Sequence, residues 1–200
     1  MNSIIQKHRR EIAQALQRHK YGIEGGRIHL EGASGLNIGG AFKVNDHGGP
    51  IGVTIEPNLF VTQGLIQLLN SAFAGGAQIS NWYMALFSND YTPTAGLTAA
   101  TFAGTAGEIN AGITSVTRPA WNRAAAVATP DVGNSGDEAL FTYAAGGPYN
   151  VYGVALLSSS VKGGTGGVLA AASRFAVSRL NQIAGDKLGI EYIISASDDS

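Results

Sequence analysis

At 200 residues the chain has the length of one ordinary domain, or of one domain with an arm. Charged residues make up only 14%, against about 25% in a usual soluble domain, and the net charge is -1, so no overall field would draw the chain to nucleic acid or to an anionic membrane. The absence of cysteine removes disulfide staples, thiolate metal sites and cysteine nucleophiles together.

With 44% apolar residues the chain can build a core. Low charge combined with 28 glycines predicts a surface much of which faces other protein, as in an obligate oligomer or a lattice component. No run approaches the roughly 18 apolar residues of a membrane helix. The basic N-terminus lacks the apolar centre of a secretory signal, so the chain is expected to be made in a reducing cytoplasm and to stay there until it assembles.

Residues 2–20 carry a helical pattern. Asn2 or Ser3 can cap it, Ile5, Ile12, Ala15 and Leu16 fall near one face, and Lys7, Arg9, Arg10, Gln14 and Arg18 lie largely around the other. Three readings stay open: a helix packing its narrow stripe on its own domain, an arm docking on an acidic partner protein, and nucleic-acid contact. The last is the weakest, since the basic count is small and no aromatic residue interleaves with it. From Tyr21 to Pro50 glycines punctuate short apolar pieces. Arg27–Leu30 alternates as a half-buried strand does, and Ala41–Val44 and Ile51–Ile55 read as a hairpin across the turn-forming residues 45–50.

Thr62–Ala74 is the strongest helix signal, with Leu65, Leu68, Leu69, Ala72 and Phe73 repeating at three and four and Gly75-Gly76 as its stop. Next comes Asn81–Ser88, a near-continuous apolar and aromatic run. It predicts a strand buried on both faces, at a sheet's centre rather than its edge. Residues 88–120 are rich in Thr, Ala and Gly without a sustained period, with Ile113–Thr117 as a weak strand. This reads as a long excursion that orders against neighbouring subunits. Further strands are expected at Ala124–Ala128, Ala139–Tyr143, Val151–Leu157, Val168–Phe175 and Leu188–Ser195, the last with Ile190, Tyr192 and Ile194 on one face. Short strands separated by turn signals predict a mainly β protein: an antiparallel sandwich or barrel-like body over 31–200, one helix near 62–74, and an N-terminal basic helical arm within 1–30.

The chemistry-bearing residues do not converge. His8, His19, His29 and His47 all fall in the first 50 residues, outside the expected core, and His47 beside Asp46 reads as turn chemistry. Gly163–Gly167 matches no phosphate-binding pattern and reads as a hairpin loop. Asp131, Asp137 and Glu138 sit in a polar loop as solvated acids. Trp82 and Trp121 suggest a ligand cage, but Trp82 in an apolar strand reads as core. No catalytic, cofactor-binding or metal-binding residue is assigned, and an enzyme is not expected.

Several segments together carry a resemblance. These are Glu56–Leu69, Trp82–Phe87, Tyr91-Thr92-Pro93, Ala99–Phe102, Thr117–Trp121, Val151–Leu156 and Gly167–Phe175. Their order over about residues 40–197 resembles a family of small virion structural proteins of tailed bacteriophages, described variously as head-decoration or tail-associated components. The resemblance implies a non-enzymatic virion protein without cofactor, first of all a decoration or cement protein on the major capsid protein lattice. The alternatives are a tail, collar or fibre-anchoring component bound to neck or tail proteins, and a host-receptor or carbohydrate-binding module. A homo-oligomer follows, with a trimer favoured, and neither nucleic acid nor membrane as partner. The candidate partner-binding residues are Lys7, Arg9, Arg10, Arg18 and Lys20 on the arm, with Tyr91 and Arg118 in the excursion.

Overall fold

The computed structural model describes the backbone of residues 21–24, 27–30 and 35–199, with side chains over 37–197. The helical reading of residues 2–20 lies outside them. The body is mainly β, two antiparallel sheets packed face to face with a helix on one side. Strands β1 (Tyr21–Glu24) and β2 (Arg27–Leu30) form a small hairpin of their own, pairing Tyr21 with Leu30.

The first sheet runs β5 (Leu59–Phe60), β10 (Leu169–Gln182), β9 (Tyr149–Leu157), β6 (Tyr83–Phe87). The second runs β4 (Val53–Pro57), β3 (Gly35–His47), β11 (Lys187–Asp199), β7 (Asp131–Gly133), with β8 (Ala139–Thr142) also paired to β11. Strand β11 is the centre of this sheet. Its thirteen residues pair with β3 from Lys187–His47 to Asp199–Gly35, while β8 and β7 share its other edge. Of the residues expected on one face, Ile190 and Tyr192 are fully buried and Ile194 is partly buried against the same core, which Leu188 joins. Tyr192 stacks on Phe42 with ring centroids 4.2 Å apart and leans on Trp121 at 5.5 Å. Asn134 locks this corner: its Oδ1 accepts from the Trp121 indole N–H at 3.0 Å and from the Tyr192 backbone N–H at 2.6 Å. Burial and an apolar setting hold the Tyr192 hydroxyl protonated, well above the ordinary tyrosine range.

Strand β6 differs from its expected place. Both its faces are buried, yet it lies at the ladder's edge, hydrogen-bonded to β9 alone as a strand. Its other edge is covered by irregular backbone: Ile109 N–H donates to Leu86 O at 2.9 Å, Met84 N–H to Pro119 O at 2.9 Å, and Trp121 N–H to Trp82 O at 2.8 Å. Apolar composition reports that a strand's faces are buried, and a chain folding back along an edge satisfies that as well as a neighbouring strand does. Two weaker strand expectations reduce to single bridges, Ile113 to Tyr143 and Ala124 to Gly133.

Helix α1 (Thr62–Phe73) forms where expected and ends at Gly75, whose φ of 69° allows Gly76 N–H to close on Asn70 O at 2.9 Å. Its apolar stripe does not all face the core, although Leu65 packs against it. The helix docks through Gly64, where an added Cβ would lie 2.3 Å from Ala170 O. That close approach turns Ile66, Leu69 and Phe73 outward, at 54%, 55% and 80% exposure. Replacing Gly64 by alanine gains up to about 1 kcal/mol of helix propensity. It also forces the helix off rigid sheet backbone, an overpacking that costs about 1–3 kcal/mol. The overpacking should win, and a thermal melt of Gly64→Ala is expected to show a lower Tm.

Candidate assembly interface

Residues 88–120 do not wait for a neighbour. They fold onto the outer face of the first sheet and give it a second core of Val61, Ala85, Phe87, Leu97, Phe102 and residues around them. Thr98 opens helix α2 (Ala99–Phe102) with a reciprocal cap to Thr101, and a π-helical turn, Ala103–Gly107, follows. Phe102 meets Phe87 edge-on at 6.2 Å. The sequence offers only a four-residue apolar piece here, too short to show a period.

Arg118, expected to face a partner, is buried at 1% exposure and spent inside the chain. Its Nε donates to Glu108 Oε1 at 2.7 Å and its Nη2 to Glu108 Oε2 at 2.6 Å, a bidentate pair. Nη1 donates to Ser159 O at 2.8 Å, and Gly163 N–H adds a bond to Glu108 Oε2 at 3.0 Å. Lys162 lies beside the pair, donating to Ile113 O at 3.1 Å; burial pulls its pKa down, against the attraction of Glu108. The node ties the 88–120 segment to the β9–β10 loop that contains Gly163–Gly167. Tyr91 is half-buried against the second core, with its hydroxyl 3.4 Å from Thr94 Oγ1. Lys7, Arg9, Arg10, Arg18 and Lys20 lie outside the described residues.

What does face outward is apolar. Besides Ile66, Leu69 and Phe73 on α1, Val116 and Val127 stand in loops at 91% and 94% exposure. Helix α1 contains no charged residue. Between α1 and the second sheet, one end of the sandwich opens into a groove of about 440 Å³. Its lining is largely apolar, with Leu68, Ile79, Trp82, Val132 and Ile194 among its walls and Arg123 as the charged residue. Trp82 is half-buried, packed against the main core and lining the groove at the same time. Trp121 sits deeper, and the Arg123 guanidinium lies over its ring at 5.6 Å.

The outer face of the second sheet holds a polar cluster that the sequence reading missed. His47 Nε2 meets Glu138 Oε2 at 2.6 Å, and Asn45 Nδ2 donates to Glu138 Oε1 at 3.0 Å. The pair lies across Gly189, where a Cβ would fall 2.0 Å from Glu138 Oε2. A glycine inside the otherwise bulky run 188–194 was the available signal, since it marks a close approach. Burial raises the Glu138 pKa, but hydrogen bonds from Asn45 and His47 and the charges of His47 and Lys43 outweigh it, so the net shift is downward. A carboxylate with a lowered folded pKa stabilises the fold above its unfolded value and loses that contribution as pH falls through the folded one. Glu138→Gln is therefore expected to flatten the loss of stability below about pH 4.5, by under about 1 kcal/mol because the pair is partly solvated. Urea unfolding at a series of pH values checks this.

A second polar group is buried between the sheets. Glu56 accepts from Thr54 Oγ1 at 2.7 Å and from Ala176 N–H at 2.8 Å, while Arg179 Nη2 donates to Thr54 Oγ1 at 2.6 Å. Arg179 also lies over the Phe175 ring at 5.3 Å. Burial lowers its pKa, and Glu56 and Asp46 oppose that. These groups bond to one another and to backbone, with no nucleophile–base pair among them. Among the described residues no three His, Cys, Asp or Glu side chains gather as a metal site, and no helix is long and apolar enough to cross a membrane.

No protein-family model matches the chain, and no curated protein matches it.

Proposed function

We propose that this chain is a non-enzymatic structural subunit that works by assembling with other protein, and specifically a decoration or cement protein on the major capsid protein lattice of a tailed-phage virion. The observation that carries the assembly reading is the outward apolar surface, above all Ile66, Leu69 and Phe73 on an uncharged helix. Contiguous exposed apolar side chains mark interaction sites. With few charges elsewhere to keep copies apart, permanent contact is the natural state of such a surface. The placement in a virion rests on the sequence resemblance over residues 40–197.

A carbohydrate- or receptor-binding role draws less support, because Trp121 is buried and Trp82 half-buried instead of forming an exposed aromatic row. Copy number in purified particles separates head from tail. A decoration protein approaches the stoichiometry of the major shell protein on a stained gel, and a collar or tail component is limited to a small ring. Absence of the chain from purified particles would overturn the virion reading. A chain that stays monomeric at high concentration and binds neither shells nor tails would overturn assembly altogether.

A further inference from the structure

The second sheet ends on strand β4, and that edge is bare and apolar. We propose that β4 is a self-pairing edge. It takes the same strand of a second copy of this chain, antiparallel and centred on Thr54, so that two sheets join into one across a two-fold axis.

The β3–β4 ladder is bracketed by two bonds: Asp46 N–H donates to Gly52 O at 3.0 Å, and Asn58 N–H to Gly40 O at 3.3 Å. Bonded pairs alternate between these limits, Val44 with Thr54 and Phe42 with Glu56. The N–H and C=O groups of Val53 and Ile55 therefore point away from β3, and among the described residues no strand lies beyond them. Other edges are closed. Strand β6 is covered by Ile109, Pro119 and Trp121, β8 by Thr114 N–H on Thr142 O at 2.9 Å, and β7 by Ala124 N–H on Gly133 O at 2.8 Å. Strand β5 is only two residues long.

The side chains suit a copy of the same strand. Val53 and Ile55 are 55% and 62% exposed, opposite Asn45 and Lys43 of β3. Lys43 is held by Glu191 at 3.1 Å, so its charge is matched within each chain. Glu56, the charge on β4 itself, is already buried and accepts from Thr54 and Ala176, so pairing desolvates no new ion. A two-fold at Thr54 sets Val53 opposite Ile55 of the second copy, and Ile55 opposite its Val53. Each pair exchanges both backbone bonds, and β-branched side chains meet across the strands. A register shifted toward Pro57 is worse, because Pro57 has no N–H and its O already accepts from Ser173 Oγ at 2.7 Å. Ala176 and Arg179 bond to Glu56 and Thr54, and Val177 and Leu180 beside them in sequence add apolar surface at 50% exposure each. This pairing rests on the assembly reading and not on the virion placement. It joins copies two by two and does not itself close a trimer.

The full chain has no native cysteine, so Val53→Cys and Ile55→Cys can be made as separate single variants. Opposed residues would lie about 5.5 Å apart at Cα, within disulfide reach, while like residues sit on the diagonal beyond about 7 Å. Refolding the two variants together under mild oxidation is expected to give a disulfide-linked dimer on a non-reducing gel, and either variant alone none. Absence of the bond from the mixture would overturn the proposal, as would equal cross-linking by one variant alone. Assembly that persists without the cross-link would place the contact elsewhere and leave the assembly reading standing. Hydrogen exchange gives a reading without cysteines. The Val53 amide should be protected in the assembled chain and lose that protection in Ile55→Lys, with the urea midpoint kept. Fast exchange at Val53 in the assembled native chain would overturn the pairing.

Discussion

Arg118→Met is expected to destabilise the fold by about 3–5 kcal/mol, the loss typical of a buried ion pair deprived of one partner. The reason is the position of Glu108. Its carboxylate is held at 2.7 and 2.6 Å by the guanidinium, and both side chains are 1% exposed, so the lone carboxylate left behind has no water to replace the lost charge. Removing both charges, with Glu108→Leu added, should cost less than removing Arg118 alone. It will still cost something, because the Ser159 carbonyl and the Gly163 N–H lose their partners at about 1 kcal/mol each. Urea unfolding followed by tryptophan emission measures all three variants. A native midpoint for Arg118→Met would show that the pair does not hold the 88–120 segment down. The same experiment separates two ideas of Arg118, since a partner-contact arginine would lose docking and keep stability.

That contrast shows what the sequence makes legible. The sandwich was readable because Ile190, Tyr192 and Ile194 alternate, the glycine runs mark hairpins, and Thr62–Phe73 has a helical period with a glycine stop. Each of these signals is local. The features that were not readable depend on pairs far apart in the chain or on backbone contacts. The edge position of β6 depends on Ile109, Pro119 and Trp121 returning along it, and no side-chain pattern records a backbone bond. The rotation of α1 depends on Gly64 meeting Ala170, over a hundred residues away. Periodicity shows that a stripe exists but leaves open whether it faces the core or a partner. Arg118 did leave one trace. Glu108 is the lone acid between Asp90 and Asp131, set among alanine, glycine and threonine, and a single acid with no solvated company is the kind that is buried with a partner.

The outward stripe of α1 supplies the second large effect. Ile66→Gln, Leu69→Gln and Phe73→Gln in one chain should leave the fold intact and weaken association at least about 100-fold. The fold should tolerate the change because the three side chains are 54%, 55% and 80% exposed and glutamine is nearly as good a helix former as leucine. The affinity estimate follows from burial: each large side chain covered by a partner contributes about 1.5–3 kcal/mol. Scaled by the exposure of each side chain, the three contacts together reach the roughly 2.8 kcal/mol that a hundredfold change requires even at the low end of that range. Far-UV circular dichroism and the urea midpoint check the fold, and analytical ultracentrifugation together with incorporation into particles checks association. If the triple variant assembles at the native concentration while remaining folded, the stripe is not the interface, and the exposed valines at 116 and 127 become the next surface to change. If instead assembly is lost and stability is unmoved, then Gly64, by pressing α1 onto Ala170, is what turns an ordinary amphipathic helix into a docking surface.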